Sequence, residues 1–114
     1  MKTRIMYIES KSCGLIGPAR IGRVTFSKSG ATIYYQGKAF RSLRGSGFKS
    51  NYFDVETGEH YWISGPHKDG KDRLYATHVM PVVDEDVVDE YWIKIRSLPV
   101  PAKHRQVQGE AELR

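Results

Sequence analysis

Only one stretch of this 114-residue chain, Asp84 to Leu98, repeats its apolar residues with the period of a helix; everything before it alternates in short runs broken by glycine-bearing turns. That contrast confines the chain to a mainly β fold, because a strand shows alternate side chains to one face while a helix shows every third or fourth. Arg4 to Glu9, Ala19 to Ser27, Ala31 to Tyr35, Lys38 to Leu43, Asn51 to Val55 and Glu59 to Ser64 read as strands, with a short last one at Asp72 to Tyr75. Ser27-Lys28-Ser29-Gly30, Gln36-Gly37 and Glu56-Thr57-Gly58 read as the turns between them. With Gly58 in the left-handed position of a three-residue loop, the last hairpin pairs Val55 with Glu59, Asp54 with His60, Phe53 with Tyr61 and Tyr52 with Trp62.

In the helical stretch, Val87, Val88, Tyr91, Trp92, Ile95 and Leu98 share one face. Asp84 stands at the N-cap, Glu85, Asp86, Asp89 and Glu90 sit in the first turns, and Lys94 and Arg96 lie near the end, so both poles of the helix dipole are matched. Pro99 and Pro101 stop it. The expected fold class is mainly β, α+β at the margin: a small, partly open SH3-like barrel of about six short strands. One C-terminal amphipathic helix, 85–97, covers the open end, its Tyr91 and Trp92 face packing on Val24, Phe26, Ile33 and Ile63. Residues 1–98 then form one domain and 99–114 a disordered tail.

Charge is spread unevenly. Residues 1–53 hold ten basic side chains and one acidic one, Glu9, while the whole chain has a net charge of only +5. A cationic first half marks a surface for polyanions. Arg20, Arg23, Lys38, Arg41, Arg44 and Lys49 lie on the strand meander and are the candidate anion or nucleic-acid contacts. The Arg44-Gly45-Ser46-Gly47-Phe48 loop offers backbone amides to a phosphate, and Tyr34, Tyr35, Tyr52 and Phe48 are candidates for stacking on bases.

Catalytic candidates are sparser. Asp54, His60, Asp72 and Arg73 are the weak ones, resting on the hairpin register that sets a carboxylate beside an imidazole. His60, His67, His78 and His104 lack ligand spacing, and Cys13 is the only cysteine, so neither a metal nor a disulfide is expected. No apolar run is long enough for a membrane span or a secretory leader, which with the lone thiol points to the cytoplasm.

Four segments resemble a family of short bacterial proteins: Gly17-Pro18-Ala19-Arg20-Ile21-Gly22-Arg23-Val24, Asn51-Tyr52-Phe53-Asp54-Val55-Glu56-Thr57-Gly58, Tyr61-Trp62-Ile63-Ser64-Gly65 and Asp72-Arg73-Leu74-Tyr75. The likeness covers roughly residues 4–96. Members often carry the label 1-deoxy-D-xylulose-5-phosphate synthase, which implies thiamine diphosphate and a metal held by a Gly-Asp-Gly segment with a later Asn. The nearest string here is Lys68-Asp69-Gly70-Lys71, whose lysines would repel a divalent ion. The residues themselves point instead to a non-catalytic binding module without a cofactor, for nucleic acid or another acidic partner; a protein-interaction module and a small enzyme are the alternatives.

Overall fold

The computed structural model describes residues 2–12, 17–44, 50–72 and 80–101. Seven strands form one sheet: β1 (Thr3–Ser10), β2 (Ala19–Phe26), β3 (Thr32–Tyr35), β4 (Lys38–Ser42), β5 (Tyr52–Asp54), β6 (His60–Ser64) and β7 (Val82–Val83). The first six pair antiparallel in sequence order, and β1 joins both β2 and β6, so the sheet closes on itself. The mainly β barrel holds, with its closure complete where a partly open one was expected. Closure gives each of the six a strand on both sides, although β3 covers only the Thr25–Phe26 end of β2.

Turn chemistry explains why the strands fall where the alternation places them. Gln36 and Gly37 both take positive φ, 49° and 77°, the signature of a tight two-residue turn whose twist matches the flanking strands. Gly30 and Gly58 sit in the same left-handed region, at 79° and 78°.

The last hairpin differs from its expected register by one residue. Tyr52 pairs with Tyr61 and Phe53 with His60, while the Asp54 N–H donates to Glu59 O at 2.8 Å. The cause is the Asp54 side chain, whose Oδ1 accepts the N–H groups of Glu56 at 2.9 Å and Thr57 at 3.3 Å. That local capping starts the turn one residue earlier and makes the loop Val55 to Gly58. A slip of one residue moves a side chain to the opposite face, so Asp54 and His60 point to different sides of the sheet.

Two apolar clusters share β1. Inside the barrel lie Met6, Ile8, Val24, Ile33, Tyr35, Phe40 and Ile63. On the outer face, Ile5, Tyr7, Ala19 and Ile21 carry Val87, Val88, Tyr91 and Trp92. The C-terminal segment therefore packs on the outside of β1 and β2, rather than over Val24, Phe26, Ile33 and Ile63. The physical reason is the unbroken run Ile5-Met6-Tyr7-Ile8, buried at all four positions. A strand apolar on both faces needs a cover on each.

That cover is not an α-helix over 85–97. A 3₁₀ turn at Glu85–Val87 leads into a π-helical turn at Glu90–Ile95, where the Arg96 N–H donates to Tyr91 O at 2.9 Å. The wider turn carries the apolar stripe off course: Tyr91 and Trp92 stay buried while Leu98 emerges at 45 % exposure. Ser97, at φ 55°, ends the segment, and Val100 returns to the outer cluster, so packing extends past 98 into the expected tail.

β7 was unforeseen. It runs parallel to the start of β2, pairing Val82 with Arg20 and Val83 with Ile21, on the side of β2 that β3 leaves free there. The strand expected at Asp72 to Tyr75 falls largely outside the described residues; Asp72 itself is not in a strand.

Candidate functional site

The candidate cations separate according to which end of the barrel their strands place them at. At the end where β2 and β4 begin, Arg20 and Lys38 are held by acidic or phenolic partners. Arg20 Nε donates to Asp84 Oδ1 at 2.7 Å, and the Tyr35 hydroxyl donates to Asp84 Oδ2 at 2.5 Å. Asp84 stands at the N-cap as expected, but its side chain serves this cluster and makes no cap hydrogen bond. Gly22 allows the approach, since a Cβ there would meet Asp84 and lie 2.5 Å from the Tyr35 ring. Lys38 Nζ reaches the Tyr61 hydroxyl at 3.4 Å and lies 3.9 Å from Asp54 Oδ2. Glu9, Glu56 and Glu59 are at this end too, as the strand ends and the Val55 to Gly58 turn require.

At the opposite end, three open grooves adjoin. The largest, about 820 Å³, runs along Lys2, Thr3, Arg4, Phe26 and the Ser27 to Gly30 turn. A second, about 410 Å³, shares Thr3 and Arg4 with it and continues past Arg23, Pro66, Lys68, Glu90 and Lys94. The third, about 300 Å³, starts at Ala31, one residue beyond Gly30, and includes Arg41, Ser42, Arg44 and Phe53. Together they hold eight lysines and arginines and a single carboxylate, Glu90. That carboxylate is already engaged: Arg23 Nη2 lies 2.8 Å from Glu90 Oε1 and holds its pKa below the usual value. Arg41 and Arg44 are exposed, with no ion pair among the described residues.

The basic set read from the sequence is thus split. Arg41 and Arg44 line the grooved end, Arg23 borders it with its charge paired, Arg20 and Lys38 lie at the other end, and Lys49 falls outside the described residues. Lys2, Arg4, Lys28, Lys68 and Lys94 were missed as contacts. Their signal in the sequence was the cationic first half, but the closing of β1 on β2 is what sets Lys2 and Arg4 beside Lys28: Arg4 pairs with Val24, and the Phe26 N–H donates to Lys2 O at 2.8 Å.

Among the described stacking candidates Tyr34 faces outward, 44 % exposed, whereas Tyr35 and Tyr52 pack into the barrel interior; Phe48 lies outside the described residues. Phe53, on the outer face between Arg41 and His60, was missed.

Among the described residues the catalytic candidates Asp54, His60 and Asp72 do not assemble. Asp54 is 2 % exposed and spends Oδ1 on its own turn. His60 Nδ1 faces Ser50 Oγ at 3.1 Å on the other side of the sheet. Asp72 Oδ1 accepts the His67 N–H at 2.7 Å, and burial raises its carboxyl pKa; Arg73, Cys13, His78 and His104 are outside the described residues. Thiamine diphosphate does not fit either. Asp69 Oδ1 accepts the Lys71 N–H at 2.9 Å, and the Arg96 guanidinium lies against Gly70 while donating to Lys68 O at 3.1 Å, adding a third cation to a string that would have to hold a divalent metal. Among the described residues no three His, Cys, Asp or Glu side chains gather into a metal-binding group.

No protein-family model, curated protein or solved structure matches the chain. Among the described residues no helix is long and apolar enough to cross a membrane. The surface chemistry of the barrel therefore carries the functional argument.

Proposed function

We propose that this protein is a non-catalytic binding module that holds nucleic acid, or another polyanion, against the basic end of its barrel. One observation carries the reading: three adjoining grooves hold eight cations and one carboxylate, and that carboxylate is already paired with Arg23. Cations left without partners around a concave surface retain the field that draws phosphates and releases their counterions. The Gly65 to Lys71 loop contributes Pro66 and Lys68 to these grooves. An enzyme reading loses its support with the separation of Asp54 from His60. The lone thiol, Cys13, agrees with a reducing cytoplasm as the place of action.

Salt dependence tests the proposal. Fluorescence anisotropy with a labelled oligonucleotide should give log affinity falling linearly with log salt, by about 0.7 per single-strand phosphate neutralised. Replacing Arg41 and Arg44 by Gln should flatten that slope by roughly 1.4. Lys38→Gln, at the other end, should leave it unchanged. An affinity equal at low and high salt rejects the reading.

A further inference from the structure

Resting on that reading, we infer that the ligand is single-stranded nucleic acid, its phosphates on Arg41 and Arg44 and its bases laid on the outer face of β3, β4 and β5. Two neighbouring rungs build this face. One joins Thr25, Tyr34 and Ala39 and continues to Val55, whose N–H donates to Ala39 O at 2.9 Å. The other joins Thr32, Arg41, Phe53 and His60. Neither rung contains a carboxylate. The helical segment packs on β1 and β2 and leaves this side of the barrel uncovered.

The face has the composition that unpaired bases require. Tyr34 and Val55 are two of the few large apolar side chains left substantially exposed, at 44 % and 50 %. Cross-strand from Tyr34 stand Thr25 and Ala39, too small to cover its ring. Phe53 is half-buried and borders the groove that Arg41 and Arg44 line. Two aromatic rings on β3 and β5, on the order of 10 Å apart by strand spacing, with a guanidinium on β4 between them, offer alternating base and phosphate sites. A double helix keeps its bases inside the stack and could use only the cations. A polyglutamate chain, which has no apolar side chains, would likewise leave the rings unused.

The test compares three probes on the full chain: a labelled thymidine dodecamer, a DNA duplex of the same length and inorganic polyphosphate, with a polyglutamate peptide as competitor. Tyr34→Ala and Phe53→Leu should each weaken dodecamer binding about fivefold or more and leave polyphosphate binding unchanged. Tyr34→Phe should keep the native affinity, and an unchanged urea midpoint shows that Tyr34→Ala still folds. Equal losses on both anions, no loss on either, or tighter binding of the duplex overturns the inference while leaving the polyanion proposal standing. Displacement of the dodecamer by polyglutamate at equal charge assigns the surface to an acidic protein and also overturns it. Failure of the native chain to bind any probe at low salt removes the proposal and the inference together.

Discussion

Asn51 and Ile63 are joined as though both belonged to the strand ladder: the Asn51 Nδ2 donates to Ile63 O at 2.7 Å, and the Ile63 N–H donates to Asn51 Oδ1 at 2.8 Å. The side-chain amide acts as an extra rung between β6 and the residue just before β5, while the Asn51 N–H donates to Tyr61 O at 3.0 Å. It extends a pairing that would otherwise stop at Tyr52.

Asn51→Asp removes the donor and sets a carboxylate against the Ile63 carbonyl, an expected loss of about 1–3 kcal/mol at neutral pH. Protonation near pH 3 restores an O–H donor, so part of the deficit relative to the native protein should disappear there. Asn51→Ala, which has no such group, should show no recovery. Urea midpoints at the two pH values decide it.

The Tyr35 hydroxyl gives the fold a pH limit on the alkaline side. Burial first, then the hydrogen bond to Asp84, raises the phenol well above its ordinary value of 10.0. A raised folded pKa means that the neutral phenol is favoured in the folded state. Its stabilisation is complete below the unfolded value and is lost as pH climbs above about 10. Unfolding free energies from pH 8 to about 11 should therefore fall steeply for the native chain and less steeply for Tyr35→Phe. Burial also raises Tyr91, so some slope remains in that variant.

The elements that local chemistry decides were legible in the sequence. Strands β2 to β4 lie within a residue or so of their alternating segments because Gly30, Gln36 and Gly37 supply the positive φ their turns need. What failed was decided by side chains acting at a distance or against their nearest rule. Asp54 capped its own turn and shifted the hairpin. Asp84 gave its carboxylate to Arg20 and Tyr35 instead of to the N-terminus it precedes. The Ile5 to Ile8 run did announce a strand covered on both faces, and read that way it would have sent the C-terminal segment to the outside of the barrel. The basic end was visible as an excess of charge but not as a place, because Lys2 and Arg4 meet Lys28 only through the β1–β2 ladder.

The π turn makes a contrast that an α-helix would not. Trp92 is 6 % exposed and belongs to the outer cluster, with the Arg96 guanidinium 4.9 Å from its ring centroid. Trp92→Ala should cost about 3–5 kcal/mol. Leu98, on the same face by α-helical spacing, is exposed, and Leu98→Ala should cost less than about 0.5 kcal/mol. Comparable losses at both positions in chemical denaturation would mean that the stripe runs straight.

Glu90 is the one carboxylate in the three grooves, and it sits against Arg23. A carboxylate there repels an incoming phosphate and occupies the cation that would otherwise receive it. Glu90→Gln keeps the size and polarity of the side chain while freeing the Arg23 guanidinium, which lies in the same groove as Arg4, Lys68 and Lys94. The variant should bind a single-stranded oligonucleotide more tightly at low salt, with a salt slope steeper by about 0.7, the contribution of one more neutralised phosphate. Asp86→Gln, which removes a nearby acid outside these grooves, should leave the slope as it is. A Glu90→Gln slope equal to the native one would place the bound strand away from Arg23 and confine the footprint to Lys2, Arg4, Lys28, Arg41 and Arg44.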